Sequence, residues 1–488
     1  MNAPSTLPRL VIAGLSGGSG KSIVSLGLLL AAQRRGLAVR AFKKGPDYID
    51  AAWLAWAAGG AVHNLDTYLM GLETVVASFT SHAVPGGLNL IEGNRGLYDG
   101  VDARGTHSTA VLAKALRAPV VLVLDATKVT RTAAAMVLGC QRLDPDVNIV
   151  GVILNQVGGP RHERVLREAI EITCGIPVLG ALPRIQDAGL LPERHLGLVV
   201  PEEYSATASL HSKLEELFEG RVEVERLWRL SCLAPNLHSC VKSGLGLADG
   251  KGLKIGHIRD SAFTFYYPEN LELLRAGGAD LVPVSALSSA ALPADIDALY
   301  IGGGFPETHG KALSANKPFL ASLWRAVEGG LPVYAECGGL MLLSRAIVWK
   351  ALKFRMAGVL PFEVQVCAKP QGHGYTELLV DTPNPFFPEG LMLKGHEFHY
   401  SKILPGSIPP STACAVRRGV GCCQARDGVI MGNLWASYTH LHALATPEWA
   451  SGLLNAARRF ASQKTELRSQ EREVRRRDEG LNIKHSDS

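Results

Sequence analysis

No stretch of this chain is long and apolar enough to cross a bilayer. Spanning takes roughly 18–20 consecutive apolar residues, whereas residues 26–32 and 120–124 are short runs that read as a helix face and a buried strand. The opening Met1-Asn2-Ala3-Pro4-Ser5 lacks the basic and apolar regions of a signal peptide. A cytoplasmic protein with no membrane partner is therefore expected. Cysteine is scarce: nine in 488 residues, an odd number with no pair of CxxC units, excludes a disulfide scaffold and offers no zinc spacing. The adjacent Cys422-Cys423 reads as ordinary free thiols. Charge of one sign is scarce as well. Fifty basic residues face 45 acidic ones, and much of the basic clustering lies in a mixed-sign tail, so no stripe for nucleic acid stands out. No internal repeat at solenoid periods is visible.

What is present is an ordinary α/β enzyme composition, 47% apolar and 19% charged with 52 glycines. The length suits two or three domains, each with its own core. Short β-branched runs such as Leu10-Val11-Ile12-Ala13 and Val120-Val121-Leu122-Val123-Leu124 alternate with longer helical patterns. That rhythm predicts βαβ units, and consecutive apolar positions predict strands buried on both faces of a doubly wound parallel sheet. We expect this P-loop domain over 1–225 and a linker over 226–252, where Ala234-Pro235-Asn236 and Ser243-Gly244-Leu245-Gly246 break any period. A second α/β domain is expected over 253–460. The charged remainder, 461–488, reads as disordered or as a solvated helix.

The first strand runs into Gly14-Leu15-Ser16-Gly17-Gly18-Ser19-Gly20-Lys21-Ser22 and then into a helical pattern. Glycines let backbone N–H groups converge on phosphate at a helix N-terminus, Lys21 reaches the β/γ oxygens, and Ser22 can hold Mg²⁺. Leu15 breaks the strict GxxxxGK[ST] pattern; the match is to GGxGK[ST], with Ser16 where partitioning ATPases carry a second lysine. Gly17, Gly18, Ser19, Gly20, Lys21 and Ser22 are the candidate ATP-binding residues. Two later strand ends carry acids, in Lys43-Lys44-Gly45-Pro46-Asp47-Tyr48-Ile49-Asp50 and in Glu92-Gly93-Asn94-Arg95-Gly96-Leu97-Tyr98-Asp99-Gly100. Open parallel sheets bind ligands at these ends. Phosphoryl chemistry needs metal-held oxygens and cations around a crowded anionic transition state, so Asp47 and Glu92 join Ser22 as Mg²⁺ candidates. Asp50 and Asp99 could orient substrate or offset charge, with a turn role before Gly100 an equal reading of Asp99. Asn155, at a fifth strand end, is placed to read a nucleobase edge.

In the second domain, Pro332-Val333-Tyr334-Ala335-Glu336-Cys337-Gly338-Gly339-Leu340-Met341 is a strand, a tight turn with Cys337 at its tip and a helix start. Small residues after the nucleophile permit the sharp bend, and the helix N-terminus is expected to favour thiolate. Gly303 and Gly304, at another strand end, can aim backbone N–H groups at a developing oxyanion beside that of Gly338. His440, in Ala436-Ser437-Tyr438-Thr439-His440-Leu441-His442, is the candidate base. His442 reads as structural.

Together with Gly395-His396-Glu397-Phe398-His399-Tyr400-Ser401, these motifs resemble the cobyrinate a,c-diamide synthase family, in family order over about residues 8–460. The resemblance implies a dethiobiotin synthetase-like domain followed by a triad-type glutamine amidotransferase domain. It implies that Cys337 attacks the glutamine side-chain amide with His440 as base. Ammonia then passes to the first domain, where ATP activates the a- and c-acetates of a tetrapyrrole acid as acyl phosphates. Mg²⁺ as cofactor, ATP as co-substrate and a homodimer are implied with it. Triad glutaminases commonly carry Glu two residues after the catalytic His; that position is His442 here, consistent with the Cys-His dyad that the resemblance implies, which leaves the orienter of His440 open. His396, Glu397, His399 and Tyr400 read either as a polar face toward the first domain or the macrocycle, or as strand packing. The same machinery could serve hydrogenobyrinate or nickel-sirohydrochlorin, and less readily the side chains used by cobyric acid synthases. From another class, a partitioning-type ATPase switch or a binder with a dead glutaminase would use the motifs without amidation.

Overall fold

In the computed structural model, seven strands form a wholly parallel sheet: β1 (Arg9–Gly14), β2 (Val39–Lys44), β3 (His63–Leu65), β4 (Leu88–Gly96), β5 (Val120–Asp125), β6 (Ile149–Val157) and β7 (Val178–Pro183). Their order is β3-β2-β4-β1-β5-β6-β7. Residues 6–185, 193–194, 197–204, 206–237, 246–404 and 410–484 are described. The chain divides into two units, Met1–Lys242 and Ser243–Ser488.

Residues 120–124 of β5 are wholly buried, as consecutive apolar positions between two helix layers require. Each such side chain contributes roughly 1.5–3 kcal/mol. The strand order brings the carboxyl ends of β1, β2 and β4 side by side, and register sets Lys43 of β2 opposite Glu92 of β4. The sequence therefore delivers its cations and acids to one edge. β1 leads into helix α1 (Lys21–Arg34), and β2 into α2 (Ile49–Ala58).

The first unit extends past the expected boundary at 225. Residues Val224–Cys232 form a helix that buries Val224, Leu227 and Ser231, and Arg9 of β1 donates to Pro235 O. A 3.6-residue apolar period overrides the linker reading there. Residues 238–245 of that linker lie outside the described residues.

The second unit is built on a ten-stranded sheet. Five strands pair in parallel, in the order Asp280–Val284, Lys254–Ile258, Ala298–Ile301, Val333–Glu336 and Leu434–Ser437. Five antiparallel strands continue it, the last being His440–Leu441 beside Met392–His399. A four-stranded sheet lies apart from it in hydrogen bonding. The strand pair Val333–Glu336 and Leu434–Ser437 sets Glu336 in register with Ser437, so the elbow and the histidine segment start from adjacent positions. The charged tail is helical to Lys484, continuing the helix that begins at Glu448, and its last four residues lie outside the described ones. Among the described residues no helix is long and apolar enough to cross a membrane.

Candidate active sites in the two units

The phosphate loop leaves β1 at Gly14 and enters α1 at Gly20, whose φ of 97° is open to glycine at little cost. A Cβ there would also come 2.0 Å from Asn155 Nδ2. Asn155 lies on β6, the sixth strand and not a fifth, and its amide donates to Ser19 O at 3.0 Å. That contact braces the loop. Lys21 Nζ donates to Ser16 O at 3.1 Å, while burial and the nearby Lys43 charge lower its pKa. Ser22 Oγ donates to Glu92 Oε1 at 3.3 Å.

Lys43 is the buried centre of this edge, an ammonium that the sequence marks only as one of two lysines. Its Nζ lies 2.8 Å from both Glu92 Oε1 and Asp50 Oδ2. Burial works against its charge, but Asp50 and Glu92 outweigh that and push its pKa well up. Asp47 accepts the N–H groups of Ile49 and Asp50 at 2.9 Å through Oδ1, so one oxygen caps the start of α2. Lys21, Ser22, Asp47, Asp50 and Glu92 are thus gathered. Asp99 accepts Gly96 N at 2.8 Å, the turn reading, although its charge still bears on Lys21.

A divalent cation fits this edge by donor chemistry. Ser22 and Glu92 are hard oxygen donors, and among the described residues the buried Glu92 Oε2 has no hydrogen-bond partner.

Burial, followed by the charge of Asp50, pushes the Asp47 carboxyl up to about 6. The folded state therefore holds this proton more tightly than the unfolded chain does, and stability falls as pH rises from about 4 through about 6. Asparagine keeps the capping oxygen and removes the charge. Without nucleotide or divalent cation, Asp47→Asn should raise stability on the order of 1–2 kcal/mol at pH 7.5. That gain should vanish by about pH 4. Thermal unfolding of both proteins at the two pH values checks this, and an unchanged difference would reject it.

In the second unit, Cys337 sits between the strand Val333–Glu336 and the helix Gly338–Leu343 with φ 49°. A non-glycine residue in this region is strained and persists only where its surroundings hold it. One such hold is Cys337 N to Ser437 O at 2.7 Å. The glycines predicted for the oxyanion converge here. A Cβ on Gly338 would lie 3.0 Å from Gly304 N, and one on Gly303 would lie 2.6 Å from His440 Cε1. Cys337, His440 and the two glycine turns thus form one centre.

Two expectations require correction. The Gly303 N–H donates to Phe265 O at 3.3 Å within a bridge that also pairs Phe265 N with Gly303 O. It is spent, so Gly304 and Gly338 remain as candidate oxyanion donors. The thiol is not poised as thiolate: burial above all, then the charges of Glu307 and Glu336, push its pKa far up against the Gly338 N–H. Desolvation outweighs the short helix's N-terminus. The resting group is a thiol, and a base must remove its proton.

His440 is buried, with Nδ1 3.4 Å from Glu336 Oε2. The ring of His396 stacks on it at 5.0 Å and 21°. Asp427, fully buried, accepts Tyr438 N and Thr439 N at 3.1 Å and so fixes the approach to His440. His442 is structural in contact, packed on Tyr267 and 3.5 Å from Glu269. His396, Glu397 and His399 are buried and Tyr400 is half-buried; Glu397 accepts Val420 N and Gly421 N, and His399 stacks on Tyr438 at 3.8 Å.

Both halves match known domain families. Residues 10–199 match the CobQ/CobB/MinD/ParA nucleotide binding domain, and residues 254–448 the CobB/CobQ-like glutamine amidotransferase domain. Whole-chain relatives include proteins named cobyrinate a,c-diamide synthase from Magnetococcus marinus, 42% identical over 92% of this chain and 96% of that one. Those from Archaeoglobus fulgidus and Listeria innocua are 38% and 37% identical, each covered over 96% or more of its length. A phosphate loop facing paired acids, a cysteine elbow beside a buried histidine, and relatives matched over 91–92% of this chain place it in the cobyrinate a,c-diamide synthase family.

Proposed function

We propose that the protein amidates the a- and c-acetate carboxylates of cobyrinate, drawing nitrogen from glutamine and energy from ATP, as a glutamine-hydrolysing carbon–nitrogen ligase of cobalamin biosynthesis. The observation that carries the nitrogen half is Cys337 on a strained elbow, with His440 and the Gly304 and Gly338 turns around it. As Sγ attacks the glutamine carboxamide, His440 accepts the thiol proton, and it returns that proton to the departing nitrogen as ammonia leaves. Water then releases glutamate from the thioester. Gly304 and Gly338 face the developing oxyanion.

In the first unit, the loop from Gly17 to Ser22 would cradle the nucleotide phosphates, with Lys21 on the terminal oxygens and Lys43 offsetting charge as the carboxylate approaches. Ser22, Asp47 and Glu92 are the residues that would hold Mg²⁺, which when bound neutralises phosphate charge. Asp50 holds Lys43 in place. The acyl phosphate so formed is attacked by ammonia, which stays nucleophilic only where it is unprotonated.

Supplying cobyrinate, hydrogenobyrinate and nickel-sirohydrochlorin separately, with ATP, Mg²⁺ and glutamine, tests the substrate. Two successive amide mass shifts on cobyrinate are expected, with at least about tenfold lower kcat/KM on the others, roughly 1.4 kcal/mol of discrimination. Preference for either rival would replace the assignment.

A further inference from the structure

We infer that Glu336, the residue preceding the nucleophile, is the positioning residue of His440 and completes the cysteine centre from within its own elbow. The inference rests on reading Cys337 as nucleophile and His440 as base. A histidine that takes a proton at Nε2 must carry its own proton at Nδ1, and an acceptor at Nδ1 both selects that tautomer and steadies the imidazolium that forms. The position two residues after His440 cannot supply this acceptor. It is His442, whose Nδ1 accepts Leu444 N at 3.2 Å and whose Nε2 lies 3.5 Å from Glu269 Oε1.

Glu336 is where that acceptor should be. Its Oε2 lies 3.4 Å from His440 Nδ1, and the carboxylate has no solvent exposure. A buried carboxylate is costly unless hydrogen-bonded, and this one is held on both oxygens. Tyr300 OH donates to Oε2 at 3.1 Å, and Leu441 N to Oε1 at 3.0 Å. The frame closes on the segment bearing the histidine: Asn270 Nδ2 donates to Tyr300 OH at 3.3 Å and Leu441 O at 2.9 Å, while its Oδ1 accepts Ala443 N at 2.8 Å. One network therefore fixes the carboxylate and the backbone on the C-terminal side of His440 together.

The other titratable groups around His440 do not compete for this role. His396 covers one ring face and shares a hydrogen bond with Tyr267 OH at 3.1 Å. Burial, with the charges of His440 and His442, keeps His396 from protonating. Glu269 pairs with His442, and Glu307 bears on Cys337. During turnover the thiol proton passes from Sγ to His440 Nε2 as the Sγ–C bond forms. It then leaves with the nitrogen as the C–N bond breaks.

Glu336→Gln in the full chain tests the assignment. Glutamine-dependent kcat should fall about 10²–10³-fold, with KM for glutamine within about threefold. Ammonia-dependent amidation should stay within about twofold of the parent. The pH profile of kcat/KM for glutamine should move to lower pH, because the imidazolium has lost its carboxylate; Glu336→Asp should recover part of the rate. A glutamine-dependent kcat within threefold of the parent, or an unmoved profile, would overturn the role. Should the variant lose both activities through misfolding, ¹⁵N-histidine NMR of the unaltered protein decides. Signals assigned to His440 by their loss in His440→Gln should report an Nδ1–H tautomer, and an Nε2–H tautomer overturns the proposal. Failure of the underlying reading looks different: the parent protein itself would then hydrolyse no glutamine through Cys337.

Discussion

Cys337→Ala should reduce glutamine-dependent amidation about 10⁴-fold or more while leaving ammonia-supported amidation close to the parent rate. Nucleophile removal in hydrolases that work through a covalent intermediate costs factors of this order and beyond. Here the loss should be near the upper end, because the oxyanion turn alone has no group left to form the thioester. Cys337 belongs to the apolar cluster of the second unit that also holds Leu340, Phe362 and Tyr438. Removing one sulfur from that cluster leaves a small cavity costing about 1 kcal/mol, too little to unfold a domain. A glutamine-analogue electrophile should add one equivalent of mass to the parent and none to the variant. Loss of ammonia-supported turnover as well would make Cys337 a packing residue, and unchanged glutamine turnover would remove it from the mechanism. The high thiol pKa adds a second expectation: iodoacetamide should label Cys337 slowly without a substrate analogue, since only thiolate reacts.

What the sequence makes legible is whatever local pattern decides. Consecutive apolar residues at 120–124 read as a doubly covered strand because both faces of β5 are indeed buried. Gly20-Lys21-Ser22 and the small residues after Cys337 announce their turns because the backbone there tolerates little else. The missing parts are tertiary. Gly303 loses its N–H to Phe265, a partner that no glycine count reveals. The thiol's protonation follows from burial, whereas the sequence argument weighs only the adjoining helix. Glu336 stands in plain view beside Cys337, yet its partner His440 arrives from a later strand segment, and the usual carboxylate position is filled by His442. Residues 226–232 read as linker because irregular neighbours mask the amphipathic helix that begins at Val224.

Lys21→Ala is expected to lower amidation about 10³-fold with glutamine and with ammonia alike, while Cys337 labelling by the glutamine analogue stays as in the parent. The reason is where the charge develops. Transfer of a phosphoryl group to a carboxylate brings two anions together, so a preorganised cation on the phosphate oxygens contributes more in the transition state than in the ground state. In the resting protein Lys21 Nζ donates to Ser16 O at 3.1 Å, a contact that phosphate oxygens can readily displace. Glu92→Gln should reach a similar loss by another route and at a higher structural cost. Glu92 and Lys43 are both buried at 2.8 Å, and neutralising the acid leaves Lys43 with Asp50 as its remaining close carboxylate. Breaking a buried pair costs about 3–5 kcal/mol when nothing else compensates; with Asp50 present, the loss should be nearer 2 kcal/mol. The two variants therefore separate catalysis from folding. Lys21→Ala should lose activity at nearly unchanged thermal stability, and Glu92→Gln should lose both. Retained ammonia-dependent activity in Lys21→Ala would move the nucleotide away from this loop, and a fully stable Glu92→Gln would mean that Lys43 does not carry its charge in the folded state.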